Sequence, residues 1–462
     1  MLKKYMRIAL VSLLLVVALG ALPAFAQDEP VTITWFVGIG TGGAPEQREM
    51  QEAVVQRFNE SHDDIQINLV IVENNVAVET LGTLIATGEA PDIVGPAGFA
   101  GAWAFAGSWL PLDDLIEETG YDLSQFPESA VEIHRTSEGL LGLPLANFPA
   151  FLYYRPGLFD EAGLEYPPAH YGDPYILDGE EVEWDVYTLR EVGMRLTVDA
   201  NGFDATEEEF DPENIIQWGF ANQWAGPMRQ NYTLFGAASV YEDNGDGTYT
   251  AVFPENWREG VQWFYNGIWE DHFIPNAAQV GSDLLGAGNA FSSGNLAMAQ
   301  SHLWYTCCLA DSEWDAAALP SYNGQVTARI HADTFRIMNT TEHPLEAFEV
   351  LTYLTGEASL DLLSVYGGMP ARPDDQSAFI ATLDEKYPQG VNWDVVIESL
   401  AFTDVPHHEE WLPNNNKAND RLDAFQSLLE STPGLDLDAE IETLVSDLQA
   451  IFDEYSAGQS GE

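Results

Sequence analysis

Two adjacent cysteines, Cys307 and Cys308, two adjacent histidines, His407 and His408, a glycine-rich turn and two acidic loops are where residue type and spacing suggest chemistry. The turn, Gly38-Ile39-Gly40-Thr41-Gly42-Gly43, follows the alternating, β-branched run 31–37 and precedes a helical pattern over 44–59, a placement that turns backbone N–H groups toward a ligand. It lacks the Lys-Ser/Thr of a phosphate loop and the acidic partner of a dinucleotide fold, which argues against nucleotide binding. Asp199, Asn201 and Asp204, with the acidic run to Asp211, offer oxygen ligands to calcium. The ligand spacing is incomplete, so a solvated loop is the simpler reading. Residues 243–247 read as a hairpin turn, because an EF-hand register would put Phe253 where a bidentate Glu is required. Two adjacent histidines without a third placed ligand do not make a zinc site. The cysteines either form a buried reduced pair or close a strained ring with each other, and both readings stay open.

Hydrolytic chemistry leaves no signature. There is no Gly-x-Ser-x-Gly and no His-Glu-x-x-His. With 74 acidic residues, the spacing of any carboxylate pair carries no information. An exported glycoside hydrolase therefore stands as the alternative class, and a passive adhesin as a third.

The elements that must position these groups begin after an export signal. Lys3, Lys4 and Arg7 precede an apolar run over 8–22 and the small-x-small triplet Ala24-Phe25-Ala26, so residues 1–26 read as a signal peptide and the mature chain as starting at Gln27. The apolar run is short for a membrane span. Lys+Arg 17 against Asp+Glu 74 gives a net charge of -57, which excludes nucleic acid and acidic membranes as partners and disfavours an anionic ligand. After the signal only Lys386 and Lys417 remain as lysines, a bias fitting either adaptation to salt or an ordinary acidic exported protein. A hydrophobic content of 46% argues for large buried cores, and the length for two to three domains' worth of chain. Strand patterns at 31–37, 65–72 and 93–94 alternate with helical patterns at 44–59 and 76–87. That order predicts a parallel sheet with right-handed crossovers and a ligand outside its C-terminal strand ends, where residues 95–98 would line a pocket.

The stretch 138–168 carries a specific resemblance. Gly142, Pro144, Tyr153, Tyr154, Leu158, Phe159, Asp160, Ala162, Gly163, Leu164, Pro167 and Pro168 match the signature of the bacterial extracellular solute-binding proteins of ABC transporters, the sugar-binding family that includes maltose-binding protein. Phe151 and Arg155 depart from it. Gly88 with Pro91-Asp92-Ile93, Trp109-Leu110-Pro111-Leu112-Asp113-Asp114, Leu196-Thr197, Phe291 with Gly294 and Ala297-Met298, the run 344–355, and Gly367 with Pro370-Ala371 resemble further elements of that family in its order.

The resemblance implies an α/β, two-lobed periplasmic-binding-protein fold of type II. Each lobe would be a mostly parallel sheet flanked by helices, with three hinge crossings near 146–149, 285–290 and 331–336. The divisions implied are 27–146 and 289–335 for lobe 1, 147–288 and 336–458 for lobe 2, and a tail at 459–462. It implies a periplasmic or extracellular monomer, not an enzyme, that captures a sugar or oligosaccharide between its lobes without cofactor or metal and delivers it to an ABC permease. Polyols and amines are the alternative solutes.

A sugar presents apolar C–H faces and a rim of hydroxyls, so its site needs flat aromatics and planar polar groups. On the family's cleft loops these are Trp224, Trp304 and Trp411 as platforms, and Asn147, Gln223, His302, Tyr305, Asp333 and His407 as polar partners. Gly42, Gly43 and Gly95 belong to the turns on the cleft wall.

Overall fold

The computed structural model describes residues 30–40, 42–136, 138–224, 229–309 and 313–459; the expected signal peptide lies outside them. One ten-stranded sheet runs through the molecule. Its strands are β1 (Val31–Val37), β2 (Ile65–Ile71), β3 (Ile93–Ala97), β4 (Leu143–Tyr154), β5 (Val198–Asp199), β6 (Ile215–Asn222), β7 (Leu296–His302), β8 (Asp315–Ala317), β9 (Ile330–Ile337) and β10 (Met369–Pro370). They lie in the order β2-β1-β3-β9-β4-β7-β6-β5, with β8 and β10 also pairing with β4.

The long strand β4 belongs to both lobes. Leu143–Pro149 pairs antiparallel with β9, and Ala150–Tyr154 pairs antiparallel with β7. Every residue of β4 except Asn147 is buried, as expected of a strand covered on both faces, which explains its unbroken hydrophobic run. On the lobe 1 side β1 pairs parallel with β2 and β3; on the lobe 2 side β6 pairs parallel with β7. The parallel strands form the lobe walls, and the strands through the middle run antiparallel.

Helices cover the walls: α1 (Pro45–Ser61), α2 (Asn74–Thr87) and the short α3 (Phe99–Trp103) in lobe 1, then α4 (Val186–Arg195) and α5 (Glu255–Trp269) in lobe 2. The chain returns to lobe 1 for α6 (Pro344–Thr355) and α7 (Ser359–Tyr366), and ends in lobe 2 with α8 (Asn415–Ser431) and α9 (Leu437–Gln459). Pro45 and Pro344 start their helices at the first turn, where a missing N–H is harmless. Gly88 ends α2 with a left-handed φ of 77°. Lobe 2 is packed by aromatics such as Trp257, Trp263, Phe264 and Phe425; the outer face of the lobe 1 sheet is packed by Phe36, Leu81 and Trp109.

Strand pairing moves three expected boundaries. Residues 296–302, expected in lobe 1, form β7 beside β6 in lobe 2. Residues 344–366, expected in lobe 2, form α6 and α7, which pack on β9, β1 and α1 of lobe 1. The expected crossing at 285–290 is instead a set of tight turns (Asp283–Gly288, Phe291–Ser293) leading into β7. The last return to lobe 2 passes Thr403, which bridges Ala328, and Asp404, whose carboxylate accepts the Ile330 N–H at 3.1 Å. Cys308 is disulfide-bonded, which excludes the reduced pair. Arg155 stands at the N-cap of the helix Pro156–Ala162, but its side chain makes no capping bond: the guanidinium donates to the Phe291 carbonyl and lies 4.6 Å from that ring's centre.

Gly219 on β6 and Gly193 on α4 meet backbone to backbone, and a Cβ on Gly219 would overlap the Gly193 peptide. Gly219→Ala therefore forces helix and sheet apart, and urea denaturation should show a loss of about 3 kcal/mol or more. A change below about 0.5 kcal/mol would mean that the two elements are not held so closely.

Candidate ligand cleft

Four strand ends and one loop converge where the lobes meet: α3 after β3, Gln223-Trp224 after β6, His302 and the turn Leu303–Cys308 after β7, His331 and Asp333 on β9, and the segment 404–411. Their rings form a continuous row. Trp224 lies parallel to Trp304, centres 6.1 Å apart at 6°. Trp304 lies near-parallel to His302 and His331 at 5.7 and 6.2 Å. His302 stacks on His331 at 3.7 Å, His331 on His408 at 5.3 Å, and His408 on His407 at 4.5 Å. His407 meets Phe99 of lobe 1 at 4.6 Å, and Phe99 stacks on His134 at 4.9 Å. The row thus runs from an indole that is 45% exposed to a buried imidazole in the other lobe.

Hydrogen bonds fix the tautomers. The Asp404 carboxylate accepts from the His408 N–H at 2.7 Å and from His408 Nδ1 at 2.6 Å, so Nε2 of His408 carries a lone pair. His407 donates from Nε2 to the Ile330 carbonyl at 2.8 Å and accepts the Glu409 N–H on Nδ1. His331 accepts the Trp304 indole N–H on Nδ1 at 3.1 Å. Burial opposes the charge on Asp404, yet His408 beside it holds that carboxyl far below the ordinary range. Burial also pushes the carboxyl of Asp333 up to about 7 and that of Glu409 up to about 8, and holds His408 down at about 4.

A cavity of about 300 Å³ opens between the lobes, lined by Ala100 and Trp103 of α3, Arg229, Glu409 and the α8 residues Asn419 and Asp423. Arg229 crosses its floor and donates to the Glu410 carbonyl and Asn419 Oδ1. A second cavity of about 530 Å³ on lobe 2 is lined by Trp224, Asn222, Asn231 and Gln426.

Of the expected site residues, the structure brings together Trp224, Trp304, His302 and His407, with Asp333 two residues along β9 from His331. Others belong to the frame. Trp411 packs half-buried against Tyr249 and Tyr455, apart from the ring row. The Gln223 amide donates to the Gly288 carbonyl and accepts the Phe291 N–H, and Tyr305 is buried with its hydroxyl on Asn289. Gly42 is bracketed by Gln47 and Gln51, Gly43 accepts from Arg48, and Gly95 accepts the Trp35 indole N–H while leaving no room for a Cβ against Phe335. Asn147 sits half-buried at the centre of β4. At the calcium candidate, both Asp199 oxygens accept N–H groups from Asn201, Phe203 and Asp211, so the loop closes on its own hydrogen bonds. Sequence reasoning missed Phe99, Arg229 and Glu409, which carry no local motif, and left His331 and His408 outside the site.

Residues 43–360 match the bacterial extracellular solute-binding proteins. The chain belongs to that family. Solved structures similar to this solute-binding protein include the sugar-binding protein MalE from Xanthomonas citri (TM-score 0.69, 15% identity, 94% of this chain and 100% of that one). An ABC substrate-binding protein from Listeria monocytogenes in complex with cycloalternan is similar at TM-score 0.68 and 18% identity, over 92% and 98% of the two chains. The GacH receptor of Streptomyces glaucescens, solved unliganded and with acarbose, is similar at 0.66 and 14%, over 92% and 99%. At these identities the likeness establishes the shared two-lobed fold.

His134 is buried against Phe99, and burial, then the charges of Arg336 and His407, hold it well below the ordinary imidazole value. A depressed folded value means that its contribution is complete above about 6.5 and is lost as pH falls below it, at roughly 1.4 kcal/mol per pH unit. The stability difference between wild type and His134→Leu, measured in urea, should therefore shrink on the order of 2 kcal/mol between pH 8 and pH 5. A constant difference would place a charged or solvated imidazole there.

Proposed function

We propose that this solute-binding protein captures a saccharide between its lobes and presents it to the permease of an ABC importer. The observation that carries the reading is the Trp224–Trp304 pair, two parallel indoles at the strand ends of lobe 2 with Trp224 open to solvent. Such a surface matches the apolar face of a pyranose, and Asn222, Asn231 and Gln426 beside it supply planar amides for hydroxyls. The saccharide complexes of related folds support the class of solute.

Solute contacts to both lobes favour the closed arrangement by rotation about the shared strands, and the permease reads that closure. The protein acts as an exported monomer, residues 1–26 being its signal peptide; among the described residues no helix is long and apolar enough to cross a membrane. It binds without turnover. Asp423 at the interlobe cavity, together with an exposed indole face, favours a cationic amine as the second reading.

A thermal-shift panel of saccharides, polyols and amines on the mature chain, followed by calorimetry, tests this. We expect a saccharide to bind and Trp224→Ala to weaken it about tenfold or more, ~1.4 kcal/mol. Amine binding alone would overturn the substrate class, and appearance of hydrolysis products would overturn the binding-protein reading.

A further inference from the structure

Three histidines at the lobe junction are not used by solute capture. His302 ends β7, His331 lies at the start of β9, and His408 lies on the last return to lobe 2. One ring nitrogen from each lies within 4.8 Å of the others. His302 and His408 are each only 1% exposed, and Nε2 of all three is buried without a hydrogen-bond partner. Three buried nitrogens without partners, this close to one another, are a desolvation cost that a shared ligand would remove.

We propose that His302, His331 and His408 hold a divalent transition-metal ion of the zinc class, with the fourth position left to solvent or solute. The Asp404 carboxylate on His408 Nδ1 is the outer partner that fixes a metal-binding imidazole with its Nε2 lone pair facing inward. A second cluster, Asp404 with His407 and His408, does not serve, because both nitrogens of His407 are engaged and Asp404 already accepts three N–H groups. Imidazole donors select zinc-class ions over calcium and magnesium, which prefer all-oxygen sites.

Loading has a structural consequence. The stacked rings must turn to aim their lone pairs at one point. His331, whose Nδ1 now takes the Trp304 indole N–H, must move its ring proton from Nε2 to Nδ1 and so release that indole. Because the ligands come from β7, β9 and the return segment, the ion would tie together the pieces of chain that meet at the hinge.

The test uses the mature full-length chain stripped with a chelator. Calcium and magnesium are added in excess to occupy the carboxylates of the strongly acidic surface. Zinc chloride is titrated by calorimetry, and cobalt chloride by visible absorption with tryptophan fluorescence alongside. We expect one equivalent bound, cobalt bands of tetrahedral intensity, and a fluorescence change as Trp304 is released. His302→Gln, His331→Gln and His408→Gln should each weaken binding about tenfold or more, while the exposed His170→Gln should not. Zinc uptake abolished by calcium and magnesium, weak octahedral cobalt bands, or unchanged affinity in the three variants would overturn the proposal. The cobalt spectrum of the wild type decides the matter if a variant fails to fold.

Discussion

The fold depends on β4 being one strand with two sets of partners. A backbone buried on both sides must have its N–H and C=O groups paired, and β4 meets that requirement with β9 along its first half and β7 along its second. The change of partner falls at Pro149-Ala150, where the proline offers no N–H and the Ala150 N–H turns to the Arg329 carbonyl at 2.9 Å. The lobes cannot part without breaking that ladder, yet they share few other strands. Rotation is therefore directed to this junction and to β9, whose pairing with β4 slips by a bulge between Asp333 and Thr334.

The same constraint explains where the chemistry sits. Parallel walls deliver the ends of β3, β6 and β7 to one edge, and the last return brings 404–411 beside β9. Residues at that edge divide into two sets. Gln223, Tyr305 and Gly95 satisfy backbone groups or allow close packing, and so hold the loops in place. Trp224 keeps an exposed face, and Nε2 of His302, His331 and His408 is buried without a hydrogen-bond partner, which sets them apart from the framework residues. Arg229, Arg329 and Arg336 are buried nearby with depressed values caused first by desolvation, so this strongly acidic chain concentrates several of its few cations at the junction.

Much of this was legible in the sequence. The Gly-Pro-Asp punctuation before β3 is a local signal and formed the expected element, whereas the crossing expected near 146–149 is the unbroken middle of the single strand β4. Trp224 and Trp304 could be placed together from the sequence because they follow strands that end at the same edge, and they lie parallel there. The lobe boundaries were not, since β7 pairs with β6 across the intervening α5 and only tertiary hydrogen bonding decides which lobe owns it. Trp411 stands apart from the ring row because its edge contacts to Tyr249 and Tyr455 hold it on lobe 2. The cluster of His302, His331 and His408 carries no sequence signal: the pair at 407–408 is adjacent, but the partners of His408 come from β7 and β9, and no spacing rule links them.

The claim that the two lobes close on a solute about a shared strand is tested most directly by small-angle X-ray scattering of the mature chain, with and without a saturating solute that calorimetry shows to bind one to one. The account predicts a smaller radius of gyration in the bound state, reversed when the solute is removed. An unchanged radius at full occupancy would contradict it and would mean that the solute is held by one lobe alone.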